Sequence, residues 1–549
     1  MKTILRINNA ESKPKKQKQI SDILEVFGKY QIIQYTYVCF ATIFITMIEI
    51  NYIFVAGDME YRCLIPECDD MNSTVKPPAW WPDEAIDRCS RPVLKEGNIE
   101  DACNKISFTN ETEQCTEWIY ENDNTVVAAL NLACQPWKSN LIGTIHSVGV
   151  LSSMLLFGWV SDRIGRKPTF LICVIGSAVG QLKQFTTSYH LYAAIEYMEA
   201  AISGGSYAAA MVLMLEIGGK KNRVLSGVLF SYSIYMGESL FACIAMFAPY
   251  WKTIIRIIYS PFILFVSYIF LMYESPRWLI VNGKMDKAKK SLLRIARQND
   301  ININYEELED MDSTKMKVKF NIEENEVRES MKKVFTSKQI IVRLLVSSMC
   351  RFTSSFVYYG LMINSVWLPG DKYVNFLLST IMSFPGELIC LYLMNKVGRK
   401  LPLMVGYVIC GGLCLGSAYV PETYVWLKIT LFLLGKMLIS ACFTGAITYS
   451  MELFPTSARG SLLGLGTFAS RTGGMLAPLT PILHTVSPIL PSVFFCLSSL
   501  LSGILLSFTP ETKDLPLMDT VQQVEDSVKR AKEQKIMKKN TKDVNEIGL

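Results

Sequence analysis

Asp162-Arg-Ile-Gly-Arg-Lys167 and its second copy, Asn395-Lys-Val-Gly-Arg-Lys400, mark equivalent places in two halves of this chain. Two further motifs recur with them: Glu216 with Arg223 and Glu452 with Arg459, and Glu274-Ser-Pro-Arg277 and Pro510-Glu-Thr-Lys513. From 162 to 395, from 216 to 452 and from 274 to 511, the offsets are 233, 236 and 237 residues. Three motifs in one register predict duplication of a half-length unit, and parallel repeats of this kind build two related helix bundles in a membrane.

The composition places the chain in a lipid bilayer. Of its 549 residues, 50% are hydrophobic and 19% are charged, and the mean hydropathy is +0.25. This is more apolar surface than a soluble domain can bury. The net charge of +6 would suit nucleic acid, but the basic residues lie between apolar runs and not on one face with aromatic residues. We therefore expect a membrane protein with no nucleic acid partner.

Twelve apolar runs have about the 20 residues that a helix needs to cross a hydrocarbon core of about 30 Å. In the first half they are approximately 31–56, 140–160, 168–187, 190–214, 224–248 and 253–273. In the second half they are approximately 342–365, 371–394, 401–420, 423–447, 460–483 and 487–508. The start of the chain is polar and basic, so we expect the first run to remain as an uncleaved anchor.

The basic segments fall on one side of the predicted membrane. They are Arg163–Lys167, Lys220–Arg223, 281–343, Lys396–Lys400 and Lys529–Lys539, whereas most of the alternate connections are short and nearly neutral. Because positive charge marks the cytoplasmic side, both termini are predicted to be cytoplasmic. An even number of spans also requires the termini to share one side.

The predicted spans divide the chain into five parts. They are a cytoplasmic N-terminus (1–30), an N-terminal six-helix bundle (31–273), a cytoplasmic linker (274–341), a C-terminal six-helix bundle (342–508) and a cytoplasmic tail (509–549). Alternating charge predicts short helices in the linker. The charged tail, poor in aromatic residues, is predicted to be disordered.

Residues 57–139, after the first span, form a loop unlike the rest of the chain. The loop carries two glycosylation sequons, Asn72-Ser-Thr and Asn110-Glu-Thr, and six cysteines: Cys63, Cys68, Cys89, Cys103, Cys115 and Cys134. On the extracellular face these predict three disulfides that stabilise a small glycosylated domain. Which of the 15 pairings occurs is left open. A zinc site is the alternative, but the loop lacks Cys-x-x-Cys pairs.

Several stretches together resemble a known family. They are Gly158-Trp-Val-Ser-Asp162-Arg-Ile-Gly-Arg-Lys167, Glu274-Ser-Pro-Arg-Trp-Leu279, Tyr358-Tyr-Gly-Leu361, Glu452-Leu-Phe-Pro-Thr-Ser-Ala-Arg-Gly460 and Pro510-Glu-Thr-Lys513. With the six-cysteine loop, they look like the organic cation, anion and carnitine transporters of the major facilitator superfamily, from about residue 31 to about residue 513. The cytoplasmic motifs alone are also similar to sugar porters. The long loop and Tyr358-Tyr-Gly-Leu361 favour the organic-ion group.

The resemblance implies an all-α fold of two six-helix bundles around a central cavity. It also implies a plasma-membrane carrier that moves small organic ions by alternating access, with one copy as a complete transport unit and no cofactor. The coupling ion, Na⁺ or H⁺, is left open. A solute sensor of the same fold is the second hypothesis. We expect no enzyme, because the chain has no Walker loop, metal-ligand cluster or nucleophile arrangement.

Charges beside the repeated motifs are predicted to gate the carrier. They are Asp162, Arg166, Glu216, Arg223, Glu274, Arg277, Glu452 and Arg459. In the outward-open state the halves must close on the cytoplasmic side, where Asp162, at the end of the second span, is placed to pair with Arg459 at the start of the eleventh. An exposed pair contributes only ~0–1 kcal/mol, so a network of them is breakable, as a gate must be. Asn395 replaces the Asp in the second copy and predicts a weaker latch there. The alternative is that these charges only set the topology.

Arg471, in the eleventh span, indicates a carboxylate on the substrate. An ionisable group inside a span is costly and usually faces a cavity, and no acidic residue lies near Arg471 along its own helix. In the family that the chain resembles, this position is typically basic in carriers of anions and carnitine and acidic in carriers of simple cations. The alternative is that Arg471 pairs with an acid on a neighbouring helix.

Glu49 and Glu238, in the first and fifth spans, stand where the resembling family more often has uncharged polar residues. If both line the cavity with Arg471, the cavity has a negative and a positive pole. Such a cavity suits a carnitine-like or amino-acid-derived zwitterion. If Glu238 instead neutralises Arg471, this hypothesis fails, and an organic cation carrier remains the alternative function.

Tyr358 and Tyr359 match a family position that faces substrate, where a ring can hold an ammonium group by a cation–π contact of ~0.5–2 kcal/mol. Packing is the alternative role for both.

His146 is either a proton carrier or a hydrogen-bonded structural histidine. Glu196 and Ser383 stand where the family usually has Arg and Glu, so the usual coupling network is not assumed. Uptake of protons by Glu196 and Glu199 is the hypothesis in its place.

Overall fold

The computed structural model describes residues 23, 26–69, 73–81, 88–94, 103–104, 107–219, 222–301, 305–309, 311–320, 331–455, 457–513, 518 and 520–526. Most of these residues are helical. The predicted sequon at Asn72 and most of the predicted disordered tail lie outside the described residues.

The first half of the chain consists mainly of long and short helices. They are α1 (Lys29–Ile50), α2 (Tyr52–Val55), α3 (Val126–Ala129), α4 (Pro136–Ile164), α5 (Arg166–Gly176), α6 (Tyr189–Ser203), α7 (Gly205–Gly218), α8 (Arg223–Phe247), α9 (Trp251–Tyr259) and α10 (Tyr268–Leu271). Two 3₁₀ helices, Ser177–Phe185 and Ser260–Ser267, follow α5 and α9. Within the bundle α1 packs against α8, α4 against α6, and α5 against α7.

Short helices follow the first bundle, as the charge pattern predicts. They are α11 (Pro276–Val281), α12 (Met285–Gln298), α13 (Tyr305–Glu309), α14 (Ser313–Lys319) and α15 (Met331–Val334). One face of α12 is buried through Ala288, Leu292 and Ile295, the spacing expected of an amphipathic helix. Next to it, Asn299 accepts a hydrogen bond from the backbone N–H of Tyr30 at 2.9 Å, which ties the linker to the start of α1.

The second half repeats the bundle. Its helices are α16 (Lys338–Asn364), α17 (Lys372–Ile381), α18 (Ser383–Lys396), α19 (Lys400–Tyr419), α20 (Val425–Leu453), α21 (Arg459–Leu476), α22 (Thr480–Val486) and α23 (Leu490–Leu506). Short 3₁₀ helices occupy Ser365–Trp367, Glu422–Tyr424 and Ala477–Leu479. Here α16 packs against α21, and α19 packs between α20 and α23.

Nine helical segments of the described chain are long and apolar enough to cross a membrane. They are Lys29–Val55, Pro136–Ile164, Tyr189–Gly218, Leu225–Phe247, Trp251–Leu271, Lys338–Trp367, Lys372–Lys396, Lys400–Tyr419 and Glu422–Leu453. Leu490–Leu506 is apolar but shorter. The predicted third and eleventh spans are helical over residues 166–185 and 459–486, but they are not among these nine segments. The count of twelve spans therefore stays a prediction.

The loop after the first span contains two small antiparallel sheets. Strands β1 (Tyr61–Cys63) and β4 (Trp118–Tyr120) pair with each other, as do β2 (Ser90–Leu94) and β3 (Phe108–Gln114). The three predicted disulfides are present and pair Cys63 with Cys115, Cys68 with Cys103 and Cys89 with Cys134. The sequence alone had left this pairing open. Asn110 lies within β3.

The two halves touch from the middle of the bundle towards the loop domain. Phe54 of α2 stacks on Tyr373 of α17 with ring centroids 5.0 Å apart, and Ser239 of α8 lies 3.1 Å from Thr380 of the same α17, oxygen to oxygen. At the opposite end of α4, the side chain of Asp162 is 75% exposed and Trp159 is 59% exposed. The contacts between the halves named here lie towards the loop domain, and we refer to the opposite end, at Asp162, as the open end.

Candidate functional site

A small cavity lies between the two halves at mid-height. Its volume is about 30 Å³, and it is lined by Glu49, Tyr52, His146, Ser147, Val150, Ser355, Tyr359, Arg471 and Gly474. This volume has room for about two water molecules, at 10–15 Å³ for each. A second cavity of about 120 Å³ lies nearer the loop domain, and Tyr52 lines both. An organic solute would therefore have to widen the central cavity.

Arg471 and Glu49 face this cavity from different halves. Arg471 lies on α21 and Glu49 on α1. Neither side chain makes a hydrogen bond or ion pair with any residue in the described part of the chain, although the two charges interact across the cavity. A guanidinium inside a membrane bundle is costly when it lacks a partner. The pair therefore presents one positive and one negative pole to whatever fills the cavity.

Glu238 is not among the residues that line that cavity, so a cavity shared by both Glu residues and Arg471 stays a hypothesis. Its two carboxylate oxygens accept hydrogen bonds from the hydroxyl of Tyr358 at 3.1 and 3.0 Å. The nearby positive charge is Lys436 of α20, not Arg471. Tyr359, one residue further on α16, does line the cavity. The two adjacent tyrosines thus serve different groups.

Lys436 is a residue that sequence reasoning missed. It is fully buried, and its Nζ lies 3.1 Å from the ring centroid of Tyr358 and donates a hydrogen bond to the carbonyl oxygen of that residue at 3.0 Å. The signal was available, because Lys436 lies in the middle of the long apolar run of the tenth predicted span, eight residues after Lys428. It gives Glu238 an oppositely charged neighbour in the other half.

A second buried group of charges lies behind the cavity, in the first half. His146 Nδ1 lies 2.8 Å from Glu196 Oε1. Lys183 Nζ lies 2.7 Å from Glu196 Oε2 and 3.4 Å from Glu199 Oε2. All four side chains are at most 3% exposed. One ring nitrogen of His146 is hydrogen-bonded, as expected of a structural histidine. The ring also lines the cavity, as expected of a proton carrier.

Two further buried groups in the second half were not among the predicted site residues. Arg351 of α16 donates hydrogen bonds to Thr467 Oγ1 at 2.9 Å and to the carbonyl of Leu463 at 3.2 Å. Glu387, one turn after Ser383, accepts hydrogen bonds from Thr444 at 2.5 Å and from Tyr235 of the first half at 3.2 Å. A carboxylate therefore stands one turn away from the place where the resembling family usually has Glu.

The repeated motifs build two equivalent clusters at the open end of the bundle. In the first, Arg166 donates to Asp162 at 2.6 Å and to Glu216 at 3.3 Å. In the second, Arg399 donates to Glu452 at 3.1 Å, and Asn395 replaces the second acid. The predicted pair of Asp162 with Arg459 belongs to the state in which this end is closed and stays a prediction; here Asp162 binds Arg166 within its own half. Arg459 donates to the carbonyl of Phe454 at 3.2 Å.

A glycine and a glutamate complete each cluster. The backbone turns at Gly165 with φ +120° and at Gly398 with φ +135°, a region that favours glycine. A Cβ at either glycine would also collide with the carboxylate of Glu274 or Glu511. These carboxylates accept hydrogen bonds from the first backbone N–H groups of the next helix, as helix N-termini favour. Arg277 lies on α11 beside Glu274, and the side chain of Arg223 is outside the described part.

The pKa values of Glu274 and Glu511 are shifted in opposite directions. Burial raises the pKa of Glu274 above its ordinary 4.5, although the backbone N–H groups that bind this carboxylate act to lower it. Burial acts on Glu511 in the same direction, but four backbone N–H donors outweigh it and lower the pKa of Glu511. Glu511 is therefore held as a carboxylate more firmly than Glu274.

Comparison with known proteins identifies the fold and the family. A family model described as sugar (and other) transporter matches residues 101–523. The organic cation transporter protein of Drosophila melanogaster is 28% identical over 519 residues, which cover 92% of this chain and 93% of that protein. Solute carrier family 22 member 3 of Rattus norvegicus is 27% identical over 532 residues, covering 91% and 94%. The resemblance predicted from the motifs is confirmed.

Solved structures agree on the fold. The partially occluded inward open conformation of the xylose transporter XylE from E. coli matches with a TM-score of 0.59 at 14% identity, covering 89% of this chain and 100% of that one. Its inward open conformation matches with a TM-score of 0.54 at 17% identity, covering 69% and 87%. At such identities the likeness shows the fold alone. The predicted helical fold of the major facilitator type is confirmed.

Proposed function

Because the chain belongs to the sugar and other transporter family, we propose that it carries small organic ions bearing a carboxylate across the plasma membrane by alternating access. One observation carries this proposal. Arg471 lines the cavity between the halves and has no hydrogen-bond partner among the described residues. A planar guanidinium binds a carboxylate through two parallel hydrogen bonds, so a substrate carboxylate supplies the missing partner.

The position of Glu49 extends the proposal to zwitterions. It faces the same cavity from the first half, and its Oε1 has no hydrogen-bond partner among the described residues. A solute with an amine and a carboxylate would place the amine near Glu49 and the carboxylate near Arg471. Tyr359 and Tyr52 border the same space and offer ring faces to the amine.

An organic cation carrier is the second candidate. Two relatives are named organic cation transporters, and Glu49 alone would suit a cation. Binding of a simple cation would leave Arg471 without a partner beside another positive charge, which is electrostatically unfavourable. A solute that bears a carboxylate is therefore the preferred candidate substrate.

Alternating access is supported by the way in which the halves meet. Their contacts lie from mid-height to the loop domain, and the Asp162 end is open. We propose that this open end faces the cytoplasm together with both termini, since the basic segments gather there. In the opposite state this end closes, and Asp162, Arg166, Glu216, Glu452 and Arg459 then become neighbours across the halves.

Uptake into proteoliposomes tests the proposal. Labelled glutarate, carnitine and tetraethylammonium represent an anion, a zwitterion and a cation. We expect uptake of glutarate or carnitine that is lost in Arg471→Ala, while Arg297→Ala, which removes an exposed guanidinium on α12, behaves like the wild type. Glu49→Gln should impair carnitine more than glutarate. Uptake of tetraethylammonium alone would establish the cation carrier, and saturable binding without accumulation would establish a sensor.

A further inference from the structure

His146 connects the central cavity to the buried charges behind it. Its Nδ1 lies 2.8 Å from Glu196 Oε1 and 4.0 Å from Glu199 Oε2. In the described part of the chain, its other ring nitrogen, Nε2, is buried without a hydrogen-bond partner, and the ring lines the cavity. The bond to Glu196 assigns the hydrogen of a neutral imidazole to Nδ1. Nε2 is then an acceptor available to a proton.

The buried charges around His146 do not balance. The surrounding charged and titratable groups are Glu49 on α1, Tyr52 on α2, Glu196, Glu199 and Tyr192 on α6, Tyr207 on α7, Tyr259 on α9, Tyr359 on α16, Arg471 on α21, and Lys183. With tyrosines and His146 neutral, three carboxylates face two cations, which leaves one negative charge. Residues in the membrane interior seldom keep such an excess. One added proton neutralises the group.

A metal ion fits this group less well than a proton does. His146, Glu196 and Glu199 lie close enough together to hold a cation. The ammonium of Lys183, however, already lies 2.7 Å from Glu196 and 3.4 Å from Glu199, where a divalent ion would sit. A lysine ammonium has no lone pair to donate and repels a metal cation.

We propose that His146 is the proton site of a proton–carboxylate cotransport, a mechanism that rests on the proposed function. A proton binds at Nε2, which converts the imidazole to an imidazolium with its Nδ1–H still donated to Glu196. The substrate carboxylate binds Arg471 in the same cavity, and both ions leave on the other side. The protein then returns to its starting protonation state, and one proton has crossed with each carboxylate.

The coupling follows from charge. Without the proton, a bound carboxylate would raise the negative excess of the site from one to two. With the proton, the excess stays at one. Each ion therefore raises the affinity for the other by the same factor, commonly about 5- to 150-fold. A permanent cation such as tetraethylammonium competes with the proton instead, so acid would weaken its binding.

The test uses full-length protein in proteoliposomes with a pH-sensitive dye in the lumen and labelled glutarate, carnitine or tetraethylammonium outside. For glutarate we expect a KM about tenfold lower at pH 5.5 than at pH 7.5, whereas carnitine, which has no net charge, should show a smaller change. Uptake should acidify the lumen, and an inward proton gradient should drive accumulation that a protonophore abolishes. Protein-free liposomes correct for diffusion of the protonated acid.

Histidine variants identify the site, because the chain has only three histidines. In His146→Gln we expect the pH dependence of KM and the lumen acidification to be lost. His190→Gln and His484→Gln should keep both, since His190 is exposed and His484 stacks on Trp367 away from the cavity. If His146→Gln does not reconstitute, the dye signal of the wild type still decides whether protons are coupled.

The outcomes are separable. Carboxylate uptake by the wild type that is independent of pH and does not acidify the lumen would overturn the cotransport and leave the proposed function standing. Uptake of tetraethylammonium alone would overturn both. Coupled uptake that keeps its pH profile in His146→Gln would assign the proton to another group and so refute the role of His146.

Discussion

The hydroxyl of Tyr358 donates to both carboxylate oxygens of Glu238, at 3.1 and 3.0 Å, and so joins the two halves of the bundle at a buried point. Tyr358 belongs to α16 and Glu238 to α8. This contact must break if the halves separate towards the loop domain. It is therefore part of what holds the present conformation closed at that end.

Tyr358→Phe should favour opening towards the loop domain. The substitution keeps the ring but removes the donor, and a hydrogen bond to a charged group contributes about 1.5–3 kcal/mol. The measurement is labelling of Ser239→Cys, at the contact with Thr380, by a membrane-impermeant thiol reagent added on the loop-domain side. We expect faster labelling in the Tyr358→Phe background. Tyr197→Phe is the matched control, because Tyr197 is exposed and binds Ser152 within its own half. Equal labelling rates in both backgrounds would contradict the prediction.

Glu238 and Lys436 should behave as a coupled pair. Removing one member of a buried charge pair leaves the other uncompensated and commonly costs about 3–5 kcal/mol, whereas replacing both is often nearly neutral. We expect Glu238→Gln and Lys436→Met each to lower the thermal unfolding midpoint in detergent. The double variant should recover part of the loss. Additive losses would show that the two charges do not interact, and Lys396→Met, which alters an exposed lysine, controls for charge removal.

Glu511 and Glu274 should respond differently to pH, although they hold equivalent positions. The pKa of Glu511 is lowered, so its stabilising contribution is present above pH 4.5 and is lost as the pH falls through the lowered value. The pKa of Glu274 is raised, so its contribution is present below pH 4.5 and is lost as the pH rises through the raised value. Glu511→Gln should therefore lower the unfolding midpoint at pH 7, and less so in acid.

Glu274→Gln imitates the protonated acid and should leave the midpoint at pH 7 nearly unchanged. Thermal unfolding of both variants between pH 4 and pH 8 checks the difference. Equal losses at pH 7 would show that the two carboxylates are held alike.

The disulfide between Cys63 and Cys115 should be essential to the loop domain. Among the described residues, the apolar cluster at the base of this domain has three buried members, Met59, Val127 and Leu132. Removing a native disulfide from such a small domain typically costs about 2–5 kcal/mol. We expect Cys63→Ser with Cys115→Ser to make the loop sensitive to added protease at the surface of intact cells. Cys243→Ser, at a free cysteine of α8, should not. A protease-resistant loop in the double variant would show that the other disulfides suffice.

The spacing of the repeated motifs was enough to predict the fold, and the structure shows that the two motif copies build the same local geometry at the open end. Gly165 and Gly398 adopt the same turn, and Arg166 and Arg399 bind equivalent glutamates, because these contacts depend on short-range backbone geometry that the duplicated motif repeats. Arg399 itself was absent from the predicted gate, although its place in the second copy pointed to it. The latch between Asp162 and Arg459 stays a prediction for the state in which this end is closed, since it depends on how the halves are tilted.

The sequence alone established that this chain is a membrane protein of two related bundles with a disulfide-bonded loop. The repeated motifs indicated the two bundles and the six cysteines the disulfides, while burial of apolar surface and backbone hydrogen bonding in lipid leave few other solutions for the apolar runs. The tertiary structure alone decided which charges meet. Lys436 joins Tyr358 and Glu238, Lys183 joins Glu196 and Glu199, and Arg471 is left facing the cavity, because the rotation of each helix about its axis sets the direction of its side chains. That rotation depends on packing between helices distant in sequence, which no single stretch of residues specifies.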